Sequence, residues 1–144
     1  QGQRIVFTNG CFDLLHAGHL AIFEFCRSKG DVVVVGVNSD ASVGRLKGPT
    51  RPILKETERT RVLAGLSDVD YVVLFEDDTP ASLIDAIRPH VLVKGGDWEG
   101  KPVVGQETVE RDGGEVAFCP IIDGISTTDL VGRVLGRHDR GGPE

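Results

Sequence analysis

The stretch Thr8-Asn9-Gly10-Cys11-Phe12-Asp13-Leu14-Leu15-His16-Ala17-Gly18-His19 decides how this chain is read. Before it stands the apolar run Ile5-Val6-Phe7, which predicts a buried strand. After it comes Leu20-Ala21-Ile22-Phe23-Glu24-Phe25-Cys26-Arg27, whose pattern predicts a helix. Two imidazoles with Gly18 between them therefore fall where a strand hands over to a helix N-terminus. In open α/β sheets ligands bind at such places, and the unpaired first N–H groups of a helix favour anions. Taken alone, His16-Ala17-Gly18-His19 also fits a polar loop whose imidazoles cap backbone groups, or part of a metal site. With Asn9-Gly10 and Asp13 upstream, and no cysteine or carboxylate at zinc-site spacing, the segment reads as a phosphate-handling site.

Outward from this turn, apolar and amphipathic runs alternate. The predicted strands are Arg4–Phe7, Asp31–Val37, Tyr71–Phe75, Val91–Val93 and Glu115–Phe118. The predicted helices are Gly18–Lys29, Lys55–Leu66, Ala81–Ile87, Gly105–Asp112 and Thr128–Leu135. Thr79-Pro80 reads as an N-cap followed by proline at the first helical position. Ser126 or Thr127 is suited to cap the last helix, and Lys29-Gly30 and Asp112-Gly113-Gly114 read as helix stops. Strands as uniformly apolar as Val32-Val33-Val34-Val35 argue a parallel sheet covered on both faces. Right-handed crossovers follow. The expected fold is α/β and Rossmann-like, with about five parallel strands. It forms one domain over residues 1–136, with a disordered tail over 137–144.

Composition narrows the function. At 144 residues the chain can bury about two-thirds of its unfolded surface. A net charge of −6 argues against nucleic acid as a partner, which needs a basic face. It leaves anionic substrates open, because local lysines and a bound cation set the field in a cleft. No apolar run nears the roughly 20 residues of a membrane helix, and no signal peptide is visible, so no membrane partner is expected. Cys11, Cys26 and Cys119 give neither a disulfide framework nor a metal spacing, and a reduced, cytoplasmic setting is expected. The chain holds no methionine, so Gln1 is not an encoded start; a trimmed chain or a segment of a longer polypeptide is expected.

The segment Thr8 to His19 resembles the signature of the cytidylyltransferase-like nucleotidyltransferases that carry a His-x-Gly-His motif. The resemblance runs from about Ile5 to Leu135. It takes in Val37-Asn38-Ser39-Asp40-Ala41-Ser42, Arg45-Leu46-Lys47-Gly48, Arg51-Pro52 and Phe75-Glu76-Asp77-Asp78-Thr79-Pro80. Leu92-Val93-Lys94-Gly95-Gly96-Asp97-Trp98 and Asp123-Gly124-Ile125-Ser126-Thr127-Thr128 extend it. Within the superfamily the chain is most similar to the adenylyltransferases that act on D-glycero-D-manno-heptose 1-phosphate. Such an enzyme transfers AMP from ATP to the sugar phosphate, giving ADP-heptose and pyrophosphate. In that branch the domain stands alone or is fused to a sugar kinase, and it often forms homodimers.

The resemblance and the chemistry together assign roles. Nucleotidyl transfer joins two anions at the α-phosphorus, so positioning and charge dominate the barrier. His16 and His19 can each present a donor to oxygens whose charge grows in the transition state. Imidazole titrates near pH 6.5, and neighbouring phosphates would favour its protonated form. Lys47 resembles the family's phosphate-gripping lysine, on the edge of a basic, proline-stiffened loop that also holds Arg51 and is flanked by Arg45. Expected nucleotide contacts are Thr8, Asn9, Gly10, Cys11, Phe12, Gly18, Lys94, Gly95, Gly96, Ser126, Thr127 and Thr128. Expected acceptor contacts are Asp13, Asn38, Asp40, Arg51, Asp97 and Trp98. Mg²⁺ is the expected cofactor, with Asp13 as a direct or water-mediated ligand. Arg59 and Arg61 lie on a helix and read as solvated.

One departure bears on the substrate. Cytidylyltransferases of glycerol phosphate and choline phosphate carry an arginine-threonine-glutamate run before Gly-Ile-Ser-Thr, whereas this chain has Ile121-Ile122-Asp123. That disfavours the CTP and alcohol-phosphate branch. Two other readings stay open at this level. One keeps the chemistry with GTP or CTP, or with another sugar or alcohol phosphate. The other is a catalytically silent nucleotide-binding module.

Overall fold

The computed structural model describes residues 2–121 and 126–139. Five parallel strands form one sheet: β1 (Ile5–Gly10), β2 (Val32–Asn38), β3 (Tyr71–Phe75), β4 (Val91–Gly95) and β5 (Glu115–Cys119). Their order is β3-β2-β1-β4-β5. The chain winds one way from β1 to β3, then returns past β1 to β4 and β5. The reversal opens a crevice at the carboxyl ends of β1 and β4, where doubly wound sheets bind ligands.

The helices are α1 (Ala17–Lys29), α2 (Asp40–Lys47), α3 (Glu56–Ala64), α4 (Ala81–Ile87), α5 (Gln106–Arg111) and α6 (Thr127–Asp139). The expected Rossmann-like α/β fold is what the chain adopts. The strand side chains divide by alternation. Val6, Val33, Val35, Val37, Val91 and Val93 pack on Phe23 and Cys26 of α1 and Leu63 of α3. Phe7, Val34 and Leu92 face the other way, onto Ile84 of α4 and Val109 of α5. Two buried faces explain why the strands lack a polar side.

Boundaries moved where hydrogen bonding overrode residue type. β1 continues three residues past Phe7, because Thr8, Asn9 and Gly10 stay in register with Val35, Gly36 and Val37. The start of the diagnostic segment is therefore strand, not turn. β4 likewise runs on to Gly95 beside Cys119.

Helix α2 was not expected. Its start is marked by Ser39, whose Oγ accepts from the Ser42 backbone N–H at 3.2 Å. Gly44 and few apolar residues hide it from periodicity. It stops at Gly48, whose φ of +104° suits a residue without Cβ.

Pro80 itself, not Thr79, is the cap of α4, and its carbonyl accepts from Ile84. The last helix extends to Asp139, beyond both its expected end at Leu135 and the expected start of the tail at 137. Residues 140–144, and with them the rest of the expected tail, lie outside the described residues, as do Ile122, Asp123, Gly124 and Ile125. Among the described residues no helix is long and apolar enough to cross a membrane.

Candidate active site

A cleft of about 380 Å³ lies over the carboxyl ends of β1 and β4. The β1–α1 turn forms its floor, Lys47 and Arg51 one rim, Lys94, Gly95, Asp97 and Trp98 the other, and the start of α6 its far wall.

The turn is built tightly. Phe12 takes a φ of +48°, a conformation that bulky residues rarely adopt. The strain turns its ring back over Gly10, where a Cβ would meet the ring at 3.1 Å. The same ring packs edge-on against His19 at 5.4 Å and tilted against Phe23 at 5.3 Å between centroids. Gly10 thus makes room for Phe12, and Phe12 seats the second histidine.

His16 is the N-cap of α1. Its Nδ1 accepts from the Gly18 N–H at 3.1 Å, and the Nδ1 of His19 accepts from the His16 N–H at 3.2 Å. The rings stack at 3.9 Å between centroids. The expectation of imidazoles as backbone caps and that of imidazoles as phosphate donors therefore describe two edges of the same rings. A nitrogen that accepts a backbone N–H carries no proton, so the pattern assigns the proton of each neutral ring to Nε2. Burial pushes the His16 pKa down; burial and then the neighbouring His16 push His19 down to about 4. Protonation by an arriving phosphate would require each ring to give up its backbone bond. At neutral pH both rings are uncharged Nε2–H donors.

Lys94 closes the opposite rim. Its ammonium donates to the Asn9 Oδ1 at 3.0 Å and lies 5.5 Å from the centre of the Trp98 ring. Burial lowers its pKa, while the Asp97 charge works in the other direction. Thr8 is buried and donates through its hydroxyl to the Val93 carbonyl at 3.0 Å, which locks β1 to β4 beneath the cleft.

At the α6 wall, Ser126 Oγ caps the helix by accepting from Asp129 N–H at 3.0 Å. Thr127 Oγ1 donates to the Leu14 carbonyl at 3.2 Å, which ties this wall to the turn. Thr128 is exposed on the same wall.

The expected site residues sort into two groups. Thr8, Asn9, Gly10, Cys11, Phe12, Asp13, His16, Gly18, His19, Lys47, Arg51, Lys94, Gly95, Asp97, Trp98, Ser126, Thr127 and Thr128 line one cleft. Asn38, Asp40 and Gly96 do not. Asn38 is buried and donates to Ser42 Oγ at 2.8 Å. Asp40 receives the Glu56 N–H at 2.8 Å and the Arg59 Nη2 at 2.7 Å. These two side chains bond within the framework around α2, outside the cleft where contact with the acceptor was expected. Gly96 packs against the Cys119 carbonyl, where a Cβ would come within 3.2 Å. Arg45 turns outward to Asp78 at 2.7 Å.

Residue type alone could not reveal Ile22, Val43 and Ile121, apolar side chains that also line the cleft. Arg59 needs a larger correction: instead of being solvated, it is fully buried. Arg61, its neighbour on α3, is exposed as expected.

Asp13 bears on the metal expectation. It is buried, and its two oxygens accept the Ile53 N–H at 2.7 Å and the Leu54 N–H at 2.8 Å. Among the described residues no group of three or more His, Cys, Asp or Glu side chains converges to hold a metal ion. Mg²⁺ demands few protein ligands when phosphates and water supply the rest. Asp13 lines the cleft, and the lone pairs left on its oxygens fit either expected form of contact, direct or water-mediated.

Anion-directed donors and cations set around one cleft of a doubly wound sheet are the parts of a phosphoryl-group transfer site, and similarity to known proteins fixes the class. The chain belongs to the cytidylyltransferase-like family, whose model matches residues 7–133, and it is a nucleotidyltransferase domain. It is 52% identical over 141 residues to the bifunctional protein HldE of Syntrophotalea carbinolica, covering 98% of this chain and 29% of that one. It is 56% identical over 138 residues to the bifunctional protein HldE of Pelobacter propionicus, covering 96% and 28%. The chain thus spans less than a third of these relatives. The crystal structure of the lipopolysaccharide core biosynthesis protein from Thermoplasma volcanium superposes with a TM-score of 0.68 at 27% identity, covering 84% of this chain and 98% of that one. Pantothenate synthetase from Thermus thermophilus shares the fold, with a TM-score of 0.58 at 19% identity, over 83% of this chain and 56% of that one.

Proposed function

We propose that this domain transfers AMP from ATP to D-glycero-D-manno-heptose 1-phosphate, releasing pyrophosphate and giving ADP-heptose. The observation that carries the reading is the His16/His19 pair, capped through Nδ1 and left with two neutral Nε2–H donors in a cleft edged by Lys47, Arg51 and Lys94. Identity above 50% to bifunctional HldE proteins supports the sugar. A phosphate oxygen of the sugar phosphate attacks the α-phosphorus of ATP; the bond to the bridging oxygen breaks, and pyrophosphate leaves with that electron pair. His16 and His19 donate to the oxygens that gain charge, with no proton lost from either ring. Lys47 and Arg51 hold the leaving phosphates, and Lys94 neutralises charge on the opposite side.

Mg²⁺, when bound with the triphosphate, would further neutralise the phosphates and orient them; Asp13 would hold it, directly or through water. Thr128 and the α6 N-terminus offer donors to the distal phosphates. Asp97 and Trp98 lie where the sugar or base would rest. A cytoplasmic setting, a homodimer and fusion to a sugar kinase complete the reading; the last is supported by the small share of the bifunctional relatives that this chain covers.

The test is pyrophosphate release with Mg²⁺, crossing ATP, CTP, GTP and UTP against both anomers of heptose 1-phosphate, with glycerol 3-phosphate as contrast. Release with ATP and one heptose anomer is expected. Release with another pair would overturn the substrate. Nucleotide binding without release throughout would mark a silent binding module.

A further inference from the structure

The cation Lys47 ends α2, and Arg51 sits on the irregular segment that follows, between Gly48 and the start of α3 at Glu56. Arg51 is bracketed by Gly48, with its positive φ, and by Ile53 and Leu54. Two buried charged side chains grip the far bracket. Asp13, from the floor of the cleft, takes the backbone N–H groups of both Ile53 and Leu54. Arg59 takes the Leu54 carbonyl through Nε at 2.9 Å. Its Nη1 donates to the Cys11 carbonyl and to the Asn38 carbonyl, each at 2.7 Å, and its Nη2 to Asp40 Oδ1 at 2.7 Å. One guanidinium therefore joins the phosphate turn, the end of β2, the start of α2 and the base of the basic segment. The planar fork matches these four acceptors, which a lysine cannot do. A charge this deeply buried needs such partners, and Arg59, fully buried, finds them in three backbone carbonyls and one carboxylate.

We infer that Arg59, acting together with Asp13, is a positioning residue that holds Arg51 and Lys47 in register with the imidazole-bearing turn, so that the phosphates meet donors and cations in one geometry. The inference rests on the nucleotidyl-transfer reading of the cleft. Arg59 lines no part of the cleft itself and acts through the segment it staples. Loosening the staple would weaken the phosphate grip in ground and transition states alike, raising KM for the triphosphate more than it lowers kcat.

A double-mutant cycle separates this from a purely structural role. The dissociation constant of inorganic tripolyphosphate, without metal, is measured by calorimetry for the wild type, Arg51→Ala, Arg59→Lys and the double variant, with thermal unfolding recorded for each. Arg59→Lys is expected to weaken binding at least about tenfold in the wild-type background and far less once Arg51 is gone, because contacts that work through one another are not additive. Pyrophosphate-release kinetics should show the matching rise in KM. Equal fold-losses in both backgrounds, or unchanged binding by a folded Arg59→Lys, would overturn the inference. If Arg59→Lys does not fold, Asp13→Asn runs through the same cycle, since it breaks one of the two backbone clamps. A wild type that neither binds tripolyphosphate nor releases pyrophosphate would instead remove the nucleotidyl-transfer reading.

Discussion

The two ends of the sheet use the same polar vocabulary with opposite results. At the amino-terminal ends of the strands, His90 Nδ1 accepts the Ile5 N–H at 2.9 Å, Asp31 accepts the Arg4 N–H at 2.8 Å, and Arg4 reaches Glu115 at 3.5 Å. At the carboxyl ends, His16 and His19 accept backbone N–H groups through the same Nδ1 atom. The local role of all three imidazoles is thus alike. What differs is the other edge of each ring. The reversal of strand order between β1 and β4 opens a crevice at the carboxyl ends, and there His16 and His19 line a cleft together with Lys47, Arg51 and Lys94, whereas His90 is exposed. On the proposed reading, a histidine becomes a transfer group through where the topology leaves its second nitrogen.

The largest expected effect tests that contrast directly. His16→Ala and His19→Ala should each lower turnover on the order of 10²–10³-fold in pyrophosphate release, the usual cost of one preorganised donor. Rates near wild type for both would leave no mechanism for the pair.

His16→Asn sharpens the comparison by separating the two edges. Asparagine keeps an oxygen for the cap but has nothing at the Nε2 position, so turnover should fall as far as in His16→Ala. Stability should return: the alanine variant should lose about 1 kcal/mol of unfolding free energy in urea, and the asparagine variant much less.

A third effect concerns pH. The folded-state pKa of His19 is lowered to about 4, against about 6.5 unfolded. Between those values the unfolded chain binds a proton that the folded chain refuses. Stability is therefore complete above about pH 6.5 and declines as the pH falls toward 4. His19→Ala should flatten this slope in urea titrations across that window. By the same shift, turnover should show no acid limb centred at pH 6.5; a limb there would mean that the histidines work as imidazolium ions.

The smallest effect on function belongs to the other end of the sheet. His90→Ala should cost about 1 kcal/mol, by orphaning the Ile5 N–H, and leave kcat/KM unchanged. A change in kcat/KM comparable with that of the His16 variants would erase the distinction between the two ends.

Much of this was legible from residue order. The alternation of apolar runs with helical patterns gave five parallel strands, because a strand buried on both faces has no polar side to show. Thr8 to His19 placed the site, because a strand-to-helix turn is a local feature and its anion preference is a property of backbone geometry. Helix α2 carries little signal in the sequence beyond one serine cap, and packing against β2 holds it. Sequence marks the polarity and motif membership of Asn38 and Asp40 but not their direction, and the fold turns both into the framework around α2. Arg59 looked solvated for the reason that charge on a helix usually is; its four acceptors come from segments up to 48 residues away.

Sequence by itself determined the doubly wound α/β class and the location of the cleft, both of which follow from short-range pattern and the fixed hand of parallel crossovers. Tertiary structure alone decided which edge of each imidazole carries the proton, which carboxylates remain for a ligand, and where the basic segment is anchored. Those depend on hydrogen bonds between groups distant in the chain, and such bonds exist only once the fold has brought donor and acceptor within 3 Å or so of each other.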